Sequence, residues 1–375
     1  MTLTSFLTII AIVFVMFNTA LVGVLAVIYA ERKVLARLQQ RIGPSRTGPW
    51  GILQTMADAV KLVLKEDVRP AESDKVVFYL APLVIFTPIF MLWAVLPLDS
   101  TKVLSDIDLG LLYVAAILGL SVVGMVLAGW SSNSKYAMLG SARSAAQLIS
   151  YELPLILSAL GVGLLAQLYS DTPFNLSEIV RAQLSIPFIF VMPLGFVLFM
   201  IGALAETARI PFDIPHADEE IVGGAFVEYS GIRWGTFQLA EYTGLITMSV
   251  LASILFLGGW NGPFSEKLTW LQPLYLMAKT GFIILLTFWI RAPLPRLRID
   301  QLMAFAWKVI IPISFLNLII ISSALFTGKQ LGISDDVVKG IIALLSIISL
   351  LLVTYFIGRR RRKRLNNYKA RWGNN

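Results

Sequence analysis

TSFLTIIAIVFVMFNTALVGVLAVIYA, residues 4–30, runs for 27 residues without one charged side chain. A helix needs about 20 apolar residues to cross the hydrocarbon core of a bilayer, so this stretch reads as a membrane span. No basic run precedes its apolar core, which points to a retained helix rather than a removed leader.

The rest of the chain repeats the pattern. Of 375 residues, 57% are hydrophobic and 14% charged, and the mean hydropathy is +0.76. Apolar runs of spanning length fall near 4–30, 78–98, 109–130, 148–168, 186–205, 236–258, 273–290, 303–326 and 337–357. The expected fold is an all-α integral membrane protein with about nine transmembrane helices. Pro82, Pro88, Pro154, Pro187, Pro193 and Pro312 lie in or beside these runs and predict tilted or kinked helices.

Residues 1–358 read as one polytopic domain: an eight-helix core over about 4–326, then a ninth helix over about 337–357. No repeat of 20–50 residues is visible. Placing the N-terminus outside puts 24 of the 31 Lys and Arg residues on the cytoplasmic side, including the basic tail 359–375 with its run RRRRKR. The net charge of +8 is thus a topology signal and a site for anionic lipid headgroups, not a nucleic-acid surface.

Against this background residues 206–241, ETARIPFDIPHADEEIVGGAFVEYSGIRWGTFQLAE, are anomalous. They carry Glu206, Asp213, Asp218, Glu219, Glu220, Glu228 and Glu241 against Arg209 and Arg233. Acids at membrane depth are costly to ionise, and where they cluster they mark proton or ion paths. A solvated loop face accounts equally well for Asp218, Glu219 and Glu220. It accounts less well for Glu206, Glu228 and Glu241, which adjoin apolar spans. His216 titrates near neutral pH or hydrogen-bonds a loop carbonyl, and the second reading is preferred.

Three further segments carry polar groups at membrane edges. AERKVLARLQQRIGPSRTGPWGILQTMADAVKLVLKED, residues 30–67, is a Gly- and Pro-studded loop leading into an amphipathic interfacial helix with Ile52, Leu53, Met56, Val60, Leu62, Val63 and Leu64 apolar. Its pattern suits either a lipid-surface helix or a lipid-accessible doorway framed by Arg32, Arg37, Arg41, Asp58 and Lys61. NSKYAMLGSARSAAQLISYELP, 133–154, sets Glu152 behind small residues that let helices approach closely. Glu152 is either a proton carrier or a structural acid tied to Tyr151 or Arg143. RAPLPRLRIDQLMAFAWKVIIP, 291–312, adds Arg291, Arg296, Arg298, Asp300 and Lys308, as anchors or partner contacts.

The chain has no cysteine and one histidine, and no glycine-rich phosphate loop. The usual ligands of iron–sulfur clusters, paired-histidine haem and structural zinc are therefore missing, so any redox centre belongs to partners.

The motifs AERK..ARLQQRIGP..TGP.G.LQ..AD..KL..KED, AAQLISYELP, AETARIPFD with EYSG and LAEY, and R..LPRLRIDQLM..AWK..IP occur in that order. Together they resemble the quinone-site membrane subunit of respiratory complex I, the proton-pumping NADH:quinone oxidoreductase, over residues 29–317. The resemblance implies a translocase subunit with no cofactor or metal of its own, in an energy-transducing membrane such as the bacterial inner membrane. Quinone would be the shared substrate, and iron–sulfur clusters and FMN would sit on partners. Those partners would be cluster-bearing and quinone-site hydrophilic subunits, small membrane subunits and antiporter-like subunits.

By the same likeness, Arg32, Arg37, Arg41, Asp58, Ala59 and Lys61 would line the quinone entrance and chamber. Glu152, Glu206, Asp213, Asp218, Glu219, Glu220, Glu228 and Glu241 would form the acidic path toward the pump, with Arg291, Arg296 and Arg298 at the docking face. The family pattern PFD.PE.E.E is PFDIPHADEE here, so His216 and Asp218 replace glutamates and Glu219 is an extra acid. The ninth span exceeds the roughly eight-helix core of the family and reads as an anchoring extension.

Two alternatives stand beside this reading, the first within the same superfamily and the second of a different class. The matching membrane component of a membrane-bound hydrogenase, or of a ferredoxin- or deazaflavin-dependent relative, would use other electron partners; the quinone-side segment argues against the hydrogenase. An independent proton-coupled transporter would show internal repeats.

Overall fold

A backbone inside a bilayer has to satisfy its own amides, and helices do this within one segment. The computed structural model describes residues 3–100, 103–215, 222–265 and 267–372. In chain order its α-helices are α1 (Leu3–Leu38), α2 (Gln54–Leu64), α3 (Lys75–Leu92), α4 (Gly110–Ser131), α5 (Lys135–Ala166), α6 (Leu176–Ala182), α7 (Phe188–Val191) and α8 (Pro193–Glu206). They continue with α9 (Gly231–Phe256), α10 (Gln272–Arg291), α11 (Ile299–Phe305), α12 (Ile311–Leu331) and α13 (Asp335–Trp372). Among the described residues, eight helical stretches are long and apolar enough to cross a membrane; α11 and α12 count as one, joined through the wide turn Ala306–Ile310.

The span expected over 186–205 differs. It is not one helix but α7 and α8, broken at Met192, whose φ of −133° and ψ of 61° leave the helical region. The cause is Pro193, which lacks an amide hydrogen and disfavours helical geometry in the residue before it. The ninth span is present, but its helix does not end at the membrane edge. It continues through the arginine run to Trp372.

Local signals set the other ends. Asp74 caps α3, its side chain accepting from the amides of Val76 (3.0 Å) and Val77 (3.3 Å). Helices α5 and α9 are the most enclosed, while α1, α10 and α13 present apolar side chains such as Phe14, Phe282 and Leu344 outward. In lipid such exposure is favourable, so helix association depends on close packing and on polar links between helices. Both occur on α5. The Gln147 side-chain amide donates to the carbonyls of Ala205 (2.8 Å) and Phe212 (2.7 Å), and the Tyr151 hydroxyl donates to the Leu302 carbonyl (3.0 Å).

The closest approach that matters for the site is at Gly140 of α5, against the turn Gly224–Phe226. A Cβ there would sit 2.8 Å from the Ala225 amide nitrogen and press on Gly224. Backbone cannot retreat as a side chain can. Gly140→Ala is therefore expected to destabilise the fold by about 1–3 kcal/mol. The check is the thermal unfolding midpoint of the purified assembly, which should fall while that of Gly281→Ala, where a Cβ meets open space, should not.

Candidate functional site

Three polar centres lie along the apolar bundle. The first is at the end of α1 that carries Arg32 and Arg37. Here the Gly- and Pro-rich loop after α1 folds back, and the Tyr29 hydroxyl donates to the Trp50 carbonyl at 3.0 Å. A cavity of about 590 Å³ opens between them, lined by Tyr29, Lys33, Arg37, Arg41, Ile42, Gly43, Ser45 and Trp50. Arg32, next to Lys33 in the chain, is joined to Asp58 of α2 by an ion pair of 2.5 Å. Gln54 holds that pair through a 3.3 Å bond to Asp58 and is itself held by Thr47 at 2.6 Å.

Of the residues expected here, Arg37 and Arg41 line the cavity, Arg32 and Asp58 pair with each other outside its lining, and Ala59 and Lys61 follow Asp58 on α2. The apolar residues Met56, Val60, Val63 and Leu64 of α2 are exposed, as an interfacial helix requires. Tyr29, Lys33 and Trp50 join the lining without having been singled out in the sequence. Their signal was only an aromatic–basic alternation around the AERK motif.

The second centre was not legible in the sequence. Glu31, 3% exposed, lies on α1 between Tyr29 and Lys33 and accepts from two arginines distant in sequence. Arg209, 8% exposed, reaches it at 3.4 Å from the loop after α8, and Arg291 pairs with it from the end of α10. The Arg209 guanidinium also lies over the Tyr242 ring at 4.1 Å. Arg291 thus makes an internal contact. Arg296 makes another, pairing with Asp213 at 2.8 Å, whereas Arg298 is exposed at the start of α11.

The third centre is acidic. Glu206 ends α8, and its carboxylate accepts from the Ser121 hydroxyl of α4 at 3.3 Å. Its other oxygen is buried without a hydrogen-bond partner among the described residues. Glu206 and Glu241 line one cavity of about 60 Å³ together with Ser121, Thr207, Ala208 and Thr247, and Glu152 lies near enough for its charge to act on Glu206. A space that size has room for a water molecule beside the two carboxylates. The structure therefore brings Glu152, Glu206 and Glu241 together and pairs Asp213 with Arg296.

Glu228 lies in the loop before α9, half-buried. That loop is fixed by Tyr229, which stacks on Phe78 at 4.1 Å and shares a 3.1 Å hydrogen bond with Ser131. Burial pushes the Tyr229 phenol up to about 12, so it stays neutral. Arg233, in the first turn of α9, pairs with Asp67 at 2.9 Å and lies over Tyr79. His216, Asp218, Glu219 and Glu220 lie outside the described residues.

Residues 10–322 match the family described as NADH dehydrogenase. An NADH-quinone oxidoreductase subunit of Dehalococcoides mccartyi is 44% identical over 338 residues, covering 88% of this chain and 93% of that one. The subunits of the same name from Geobacillus kaustophilus and Brevibacillus brevis are 50% and 47% identical, each over 78% of this chain and 86% of the relative.

The buried Glu31 centre has a direct stability consequence. Glu31→Gln leaves Arg209 as a buried cation without its counter-ion and is expected to cost about 3–5 kcal/mol. Adding Arg209→Met to that variant removes the more deeply buried of the two orphaned charges and should recover part of the loss. Thermal unfolding of the two purified assemblies checks the order, which a purely local role for Glu31 would not produce.

Proposed function

This chain belongs to the NADH dehydrogenase family and is a membrane subunit of an NADH-quinone oxidoreductase complex, and on that premise we propose that it helps form the quinone chamber and relays the charge change of quinone reduction to buried acids that move protons. The observation that carries this reading is the Glu31–Arg209 pair. It joins the helix lining the basic cavity to the loop that directly follows Glu206.

A quinone headgroup offers two carbonyl acceptors and no donor. Tyr29, Lys33, Arg37 and Arg41 supply donors, and the exposed apolar face of α2 suits the isoprenoid tail. Arg32, Asp58, Ala59 and Lys61 frame the mouth of the chamber. With no cysteine in the chain, electrons arrive from iron–sulfur clusters on hydrophilic partners that also carry the FMN. Arg298, exposed, faces those partners, while Arg291 and Arg296 support the docking edge from within.

Reduction places negative charge among these cations before protonation completes. That field weakens the hold of Arg291 and Arg209 on Glu31 and alters the balance at the acids beyond. Glu206 and Glu241 share one cavity and the charge of Glu152 acts on Glu206, so a charge change at one of these acids is passed to its neighbours. Asp213 and Glu228, with Asp218, Glu219 and Glu220 outside the described residues, extend the path toward small membrane and antiporter-like subunits. The chain is one membrane domain of a bacterial inner membrane, with its N-terminus outside and its basic helical end in the cytoplasm against anionic lipid.

Glu206→Gln, assembled in sealed membrane vesicles, is expected to lower quinone-linked proton translocation and NADH turnover together, by about 100-fold. The variant chain should remain in the complex. Wild-type turnover with a wild-type proton-to-electron ratio would overturn the reading.

A further inference from the structure

Helix α13 begins at Asp335, beyond residue 322 where the match to the family ends. An extension that only anchored the chain would need contact with lipid and little else. This one makes specific polar contacts with the bundle at two depths. Near its start, Lys339, 7% exposed, lies over the Tyr169 ring at 4.3 Å and pairs with Asp336. Two turns further, Ser346, 1% exposed, accepts a hydrogen bond of 3.1 Å from the backbone amide of Leu194.

Leu194 is the first residue of α8 that has an amide hydrogen, because Pro193 has none. The break at Met192 removes the helical acceptor this amide would otherwise use, and lipid offers no replacement. Ser346 is that replacement. The site around it is built: Leu194 and Leu198 pack with Leu350 of α13 and Ile310, and the Asn317 side chain of α12 lies 3.6 Å from the Met192 sulfur. The break is therefore enclosed by α12 and α13 and has one polar partner from each.

We propose that α13 is an intrachain brace and that Ser346 is a positioning residue for proton transfer. By completing the hydrogen bonding of the break it fixes the axial register of α8, and so the place of Glu206 at the other end of that helix. This rests on the reading of Glu206 as a proton carrier. A helix is stiff along its axis, so a change of pairing at its first turn is carried to its last.

The test uses the whole complex with Ser346→Ala, Ser346→Thr and, as a control on the same helix, Ser349→Ala, whose hydroxyl donates within α13 to the Ser346 carbonyl. Two quantities are read: hydrogen exchange at the Leu194 amide and protons moved per electron. In Ser346→Ala, Leu194 exchange should rise about tenfold, as for loss of one hydrogen bond, and the proton-to-electron ratio should fall. Ser346→Thr, which keeps a hydroxyl, should restore both, and Ser349→Ala should change neither.

Unchanged exchange in Ser346→Ala overturns the brace. Raised exchange with an unchanged ratio overturns its role in positioning Glu206. Failure of the underlying proton-path reading is seen separately, as normal pumping in Glu206→Gln while the Ser346→Ala exchange still rises.

Discussion

A carboxylate held at 3% exposure by two arginines is the contact on which the polar half of this molecule depends. Glu31 belongs to α1, Arg209 to the loop after α8 and Arg291 to the end of α10, so one side chain fastens three segments that are far apart in sequence. None of the three ions is stable at that depth alone. Desolvation is offset only if all are present with good geometry, and this makes the arrangement nearly all-or-none. Tyr242 adds a ring face to Arg209, which spreads the cation over more than its carboxylate partner.

That fastening gives the site its two-sided character. On one side of Glu31, α1 turns Tyr29 and Lys33 toward a cavity rimmed by arginines. On the other, Arg209 begins the irregular backbone whose neighbours Thr207 and Ala208 line the cavity of Glu206 and Glu241. The Glu31–Arg209 ion pair thus links the helix that lines the basic cavity to the segment that lines the cavity of Glu206 and Glu241.

The helices that carry these groups are held by close approach and by polar links, since lipid removes the ordinary drive to bury apolar surface. Gly140 against the Gly224–Phe226 turn, Gln147 spanning α8 and the following loop, and Ser346 at the break in the α7–α8 pair are instances of one rule. Irregular backbone occurs at depth only where a neighbouring side chain supplies the missing partner. The irregular stretch 207–215 after α8 carries Asp213, and residues 222–230 before α9 carry Glu228.

Eight of the nine spans, the uneven distribution of basic residues and the presence of acids beside apolar runs were determined by the sequence, because bilayer thickness acts on each segment separately. The motif AETARIPFD announced Glu206 and Asp213, and the AERK segment announced Arg37 and Arg41. Only the tertiary structure decided which charges meet. Asp213 went to Arg296, Glu31 drew in Arg209 and Arg291, and Glu206 shared a cavity with Glu241 and a charge interaction with Glu152. It also turned the apolar run 186–205 into two helices with Ser346 at the join. Hydropathy is a property of each segment and can be read along the chain. Ion pairing and amide satisfaction belong to neighbours in space, and those are set only when the helices pack.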